Sequence, residues 1–92
     1  MGPRRFSRNP DALWRVEHDG GGDVAALIYL ENDIVTVNGV GLHVWRLCDG
    51  ATVEDLVDRL MDEYDVDRST LTDDVLRFIG EMEERRLIID AC

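Results

Sequence analysis

The sequence contains no lysine; arginine supplies all ten of its positive charges. Against them stand 20 acidic residues, so the formal net charge is −10. The imbalance is local: residues 1–46 hold six acids and five arginines, residues 47–92 fourteen and five. So negative a second half repels phosphate backbones, which argues against generic nucleic-acid binding and for a basic segment of some partner. Solubility alone is the plainer account of the same charge. There are two cysteines, Cys48 and Cys92, in no Cys-x-x-Cys or Cys/His pattern. That spacing disfavours both a disulfide framework and a zinc site. No run approaches the roughly 18 apolar residues of a membrane span, and the N-terminus lacks the apolar segment of a signal peptide. A cytoplasmic protein with no membrane partner is expected. The two histidines, His18 and His43, fall far apart, and no Ser/His/Asp set, Cys/His pair or metal cluster accompanies them. An enzyme is not expected, nor a cofactor of the protein's own.

What is present is one small domain. Both prolines and three arginines fall within residues 1–12, which read as a mobile arm ahead of a domain over 13–92. Residues 13–18 alternate, with Trp14, Val16 and His18 on one face, as in a half-buried strand. His18 has no partner at useful spacing and reads as structural. Residues 19–23, Asp-Gly-Gly-Gly-Asp, form a turn; a phosphate loop would need Gly-Lys-Ser/Thr and a helix directly after it. Residues 24–30 are apolar on both faces, as a central strand is. After a turn at 31–33, the β-branched run Ile34-Val35-Thr36-Val37 makes a third strand. Turns this short give an antiparallel meander, with that third strand at an edge. Within 34–37 there is no lysine, proline or glycine to blunt the edge, which invites another strand.

Three helices follow. The first, over 39–48, is capped by Asn38 and weakened by Gly39 and Gly41. Trp45 flanks its apolar face, and Cys48 reads as a small buried apolar residue rather than a nucleophile. Asp49-Gly50 ends the helix. Thr52 caps the second helix, 53–64, whose Val53, Leu56, Val57, Leu60, Met61 and Tyr64 form a stripe. Its acids, Glu54, Asp55, Asp58, Asp62 and Glu63, read as a solvated face rather than a catalytic or calcium site. The third helix, 70–85, is capped by Ser69 or Thr70, with Thr72 an alternative start. Leu71, Val75, Phe78, Ile79 and Met82 line one face, and Leu76 widens it beyond what core alone requires, so part of it can line a groove. Residues 87–89 read as a tail packing back as a short strand.

A three-stranded antiparallel sheet followed by three α-helices is a winged-helix-like α+β domain. Such domains often bind DNA. Here the candidate recognition helix carries Asp73, Asp74, Glu81, Glu83 and Glu84, so an acidic winged-helix regulator is the weaker reading. An exposed strand edge beside an amphipathic helix suits an extended peptide, which adds a strand while its side chains enter the groove. A third reading, self-pairing of two copies through that edge, leaves the oligomeric state as monomer or weak dimer.

Several stretches also resemble the PqqD family, or RiPP recognition elements. They are Val35-Thr36-Val37-Asn38, Leu47-Cys48-Asp49-Gly50, Thr52-Val53-Glu54-Asp55-Leu56, Asp74-Val75 with Phe78, and Arg86-Leu87-Ile88. The resemblance spans residues 13–89. It departs at Leu30-Glu31, where a Pro-containing turn is common, and at Arg86, where glycine is usual. It implies a non-enzymatic protein that holds the leader segment of a ribosomally made precursor peptide and presents it to a modifying enzyme. That partner is expected to be a radical SAM protein; a protease of lasso-peptide type is the alternative. The leader is expected to add to Ile34, Val35, Thr36 and Val37, against Asp74, Val75, Arg77, Phe78 and Glu81 of the third helix. Any iron–sulfur cluster or SAM would belong to the partner.

Overall fold

The computed structural model describes residues 4–18 and 24–91. The turn expected at 19–23 and Cys92 lie outside the described residues. Within them, nine elements build two three-stranded sheets around three helices.

The first sheet is the expected antiparallel meander: β2 (Leu13–His18), β3 (Val24–Leu30) and β4 (Asp33–Asn38), in the order β2-β3-β4. Its register aligns Trp14 with Ile28 and Val35, and Val16 with Ala26 and Val37. Side chains alternate across a strand. Those two rows therefore share a face, and Ala26, Ile28 and Val37 on it are buried. The rows Leu13–Tyr29–Ile34 and Arg15–Leu27–Thr36 take the opposite face, where Leu13 and Ile34 are exposed. β2 is less buried than its alternation suggests: Val16 alone of its six residues is partly covered. The reason is position. The first helix touches β3 and β4, and β2 is the far edge. Trp14 still meets Trp45 edge to face, with ring centroids 5.9 Å apart.

The helices are α1 (Gly39–Leu47), α2 (Val53–Met61) and α3 (Arg68–Glu84). α1 touches β3, β4, α2 and α3 alike, so the run from β4 into α1 joins the meander to the helical layer. Asn38 occupies the N-cap position of α1 with extended backbone, but its side chain makes no capping bond, contrary to expectation. Thr52 does cap α2. Its Oγ1 accepts from the Asp55 N–H at 3.0 Å, and the Asp55 carboxylate accepts from the Thr52 N–H at 3.2 Å. This capping box ties down two of the four backbone donors that a helix N-terminus leaves free. Those bonds, first of all the one from the Thr52 backbone, hold the Asp55 carboxyl below its ordinary range. α3 starts at Arg68, with Asp67 at the N-cap, so Ser69, Thr70 and Thr72 lie inside the helix. Thr72 shows it directly: its hydroxyl donates back to the Arg68 carbonyl at 2.8 Å. Leu76 is half exposed and adds nothing to the core. Trp45, Leu56, Leu60, Leu71, Val75 and Ile79 fill it. Cys48 is fully buried, and burial pushes its thiol up to about 11.

The second sheet was not foreseen. β1 (Phe6–Arg8) pairs on one side with β5 (Asp49–Ala51) and on the other with β6 (Ile88–Asp90), in the order β5-β1-β6. Residues 6–8 are thus part of the fold and not of an arm. Phe6 enters the core. Arg8 Nη1 donates to the Trp45 and Arg46 carbonyls at 2.8 and 2.9 Å, placing a cation on the C-terminal end of α1. Ser7 Oγ accepts from the Gly50 N–H at 2.8 Å, and Asn9 Nδ2 donates to the Arg86 carbonyl at 2.8 Å. The strand expected after α3 is present as β6. The turn leading to it is a Schellman motif: Leu87 N–H bonds to Met82 O at 2.9 Å and Arg86 N–H to Glu83 O at 3.0 Å. Arg86 itself takes the left-handed conformation, φ 61°, that usually falls to glycine.

Candidate functional site

β4 pairs with β3 and, among the described residues, with no other strand. Its free edge faces the C-terminal half of α3 across a cleft of about 290 Å³. From β4 the cleft takes Val35, Thr36, Val37 and Asn38; from α3 it takes Phe78, Glu81, Met82 and Arg85. The α3 residues follow the helical repeat, three or four apart, so one face of the helix supplies them all. The β4 edge offers unpaired backbone groups that another strand can satisfy.

Five of the nine residues expected from sequence line this cleft: Val35, Thr36, Val37, Phe78 and Glu81. The other four do not. Ile34 is on the outer face of the sheet and two-thirds exposed. Val75 is fully buried in the core beside Leu71 and Ile79. Asp74 and Arg77 face each other in an i,i+3 ion pair at 3.8 Å, away from the cleft. Periodicity identifies the residues that share a helix face. It leaves open which of two adjacent apolar strips turns into the core, and the structure places Val75 on that strip.

Asn38, Gly41, Met82 and Arg85 were missed. Met82 and Arg85 extend the strip of Phe78 and carried that signal. Gly41 carried another. It sits inside α1, where glycine costs about 1 kcal/mol relative to alanine. Its place is explained by Phe78: a Cβ at Gly41 would stand 2.8 Å from Phe78 Cε1. Only glycine lets the phenyl ring lie against α1 and form the wall of the cleft.

A larger concavity of about 570 Å³, lined by Arg46, Asp49, Asp55, Asp58 and Arg59 among others, lies between the end of α1, β5 and α2. Two of its carboxylates are already engaged, Asp55 in the capping box and Asp58 with Arg68 at 2.7 Å. It lies beside no unpaired strand of the meander. Among the described residues there is no group of three or more His, Cys, Asp or Glu placed to hold a metal ion. No helix among them is long and apolar enough to cross a membrane.

Residues 22–88 match the sequence profile of the family described as coenzyme PQQ synthesis protein D, PqqD. The chain belongs to the PqqD family. The match runs from the meander through the Schellman turn and so includes every residue of the cleft. No curated protein matches the chain. Among solved structures, one described as TbiB1 in complex with the TbiA(beta) leader peptide superposes with a TM-score of 0.69. It is 24% identical and the match covers 89% of this chain and 93% of that one. At that identity the likeness is one of fold.

Proposed function

We propose that this protein binds the leader segment of a ribosomally made precursor peptide. The leader adds as a fourth strand to the free edge of β4 and seats alternate side chains in the cleft against Phe78, Glu81, Met82 and Arg85. One observation carries the reading: the unpaired edge of β4 lies directly beside a partly apolar cleft wall on α3. Family membership and the fold shared with a leader-peptide complex support it.

Backbone hydrogen bonds along β4 supply much of the affinity and tolerate sequence variation; the cleft supplies specificity. Ordering a disordered leader costs about 2–5 kcal/mol of the gross interaction energy, which a preformed edge and a fixed Phe78 help to offset. The protein acts as a tether. It holds the leader near a modifying enzyme so that the core segment meets the active site at an effective concentration of about millimolar order for a short flexible linker. No reaction step falls to this chain, and it needs no cofactor. The partner is a radical SAM enzyme, which brings its own cluster.

Titration of isotope-labelled protein with the precursor encoded beside its gene tests the reading. Backbone amides of Val35, Thr36 and Val37 are expected to shift most. Tight binding with those amides unmoved would remove strand addition. The neighbouring genes test the partner: a radical SAM gene supports it, whereas a protease beside an asparagine-synthetase-like enzyme replaces it and leaves leader binding standing.

A further inference from the structure

Among the described residues, Arg68, Asp74, Arg77 and Glu83 of α3 are in ion pairs, whereas Asp73, Glu81 and Glu84 are not. Asp74 pairs with Arg77 on the same helix, and Glu83 with Arg4 at 2.7 Å. Glu81 and Arg85 differ. Both are exposed, both line the cleft, and neither has a hydrogen-bond or ion-pair partner among the described residues. Yet they stand four apart with the acid on the N-terminal side, the arrangement that favours an intrahelical bridge. Two opposite charges are left open on the wall of the cleft beside the free edge of β4.

Their spacing matches a strand. Four residues of helix rise about 6 Å, and side chains two apart on an extended strand lie about 6.6–6.8 Å apart on the same face. Where an added strand runs along this face of α3, two consecutive inward side chains can meet Glu81 and Arg85, one each. Building on the leader-binding reading, we infer that Glu81 and Arg85 select a leader carrying a basic and an acidic residue two positions apart, the base against Glu81 and the acid against Arg85. For a leader added antiparallel to β4, as β3 is on its other side, reversing the order of those two residues sets like charge against like. The pair thus discriminates between two leaders that run the same way along β4.

Two synthetic peptides of identical composition provide the test. Each is a twelve-residue Thr/Val strand, one with Lys-Thr-Glu at its centre and one with Glu-Thr-Lys. Affinity is read by titration and seating by the β4 amides. Two exposed charge pairs gained against two opposed give the wild type a preference of about tenfold for one order. The double variant Glu81→Arg, Arg85→Glu, which keeps the net charge and changes only exposed side chains, is expected to invert that preference. Reversing Asp74 and Arg77 in the same way leaves it unchanged. About 1 M salt, where the Debye length is near 3 Å, abolishes it. Equal binding of both peptides by the wild type, or a preference that survives the Glu81/Arg85 reversal, overturns the inference and leaves leader binding intact. Failure of both peptides to move the β4 amides, when the natural precursor does move them, likewise overturns the inference alone. Failure of the precursor too removes the leader reading itself.

Discussion

The small sheet has its central strand, β1, paired on both sides, whereas the meander leaves β4 paired on one side only. Both edges of β1 are spent on closing the fold: β5 and β6 bind it, Arg8 ties it to the end of α1, Ser7 accepts from Gly50 of β5, and Phe6 plugs the core. The meander has no such closure at β4, and the cleft beside it is walled by a helix face rather than filled by a strand. One sheet holds the chain together and the other offers a surface. Among the described residues the outer strands of both sheets are paired on one side only, so the difference lies in what borders the free edge: at β4, a cleft walled by Phe78, Glu81, Met82 and Arg85 of α3.

This division predicts where a substitution is felt. Phe6→Ala empties a buried site in the closed sheet and should cost about 3–5 kcal/mol by urea unfolding. Where the variant remains folded, its leader affinity should match wild type. A loss of affinity out of proportion to unfolding would show that the closed sheet also shapes the cleft.

Gly41→Ala has the opposite profile. The new methyl would stand 2.8 Å from Phe78 Cε1, so the ring must shift from its place on the cleft wall. Leader affinity should fall about tenfold, close to 1.4 kcal/mol. Stability should move little, because alanine's helix propensity offsets the contact. Unchanged affinity would mean that Phe78 is not part of the binding wall.

Thr52→Ala removes the cap that carries the chain from β5 into α2 and should cost about 1 kcal/mol without touching the cleft. Asp55, the other half of the box, adds a pH signature. Its carboxyl is held low in the folded state, first by the Thr52 backbone bond. The stabilisation is therefore present above the unfolded value of about 3.9 and lost as pH falls through the folded one. In chemical unfolding the advantage of wild type over Asp55→Asn should be full at neutral pH and shrink below about pH 4. An advantage that stays constant through that window would contradict the box.

Arg86→Gly is the smallest expected change, and it stabilises. A non-glycine residue in the left-handed region costs roughly 1–2 kcal/mol, of which glycine's extra unfolded-state freedom returns about 0.5–1. A rise in the unfolding midpoint worth about 0.5–1 kcal/mol is expected, with leader affinity unchanged. A fall in stability would show that the Arg86 side chain contributes more than the turn costs.

The two sheets also differ in how much of them the sequence reveals. The meander is written locally: alternation at 13–18, an apolar run at 24–30, β-branched residues at 34–37 and turns between them. From these the open edge and the α+β arrangement could be read before any coordinates. β1 is three residues between two prolines, with no period to detect. Its order comes from partners some 40 to 80 positions away, such as Gly50 and Arg86, which no local pattern exposes. Asn38 shows the converse. It has the right type at the right place for a cap, and its side chain makes no such bond. The cleft falls between these cases. Phe78 and Glu81 were legible from helical spacing, but Gly41 belongs to the site only through its approach to Phe78, a contact between helices that sequence spacing does not encode.

The central claim is that β4 is left open to receive a strand. Amide hydrogen exchange across β4, with and without the precursor's leader segment, tests it most directly. The edge-facing amides of Asp33–Asn38 should exchange rapidly in the free protein and become strongly protected on binding, while those already bonded to β3 change little. Saturating leader with no gain of protection at the β4 edge would contradict it.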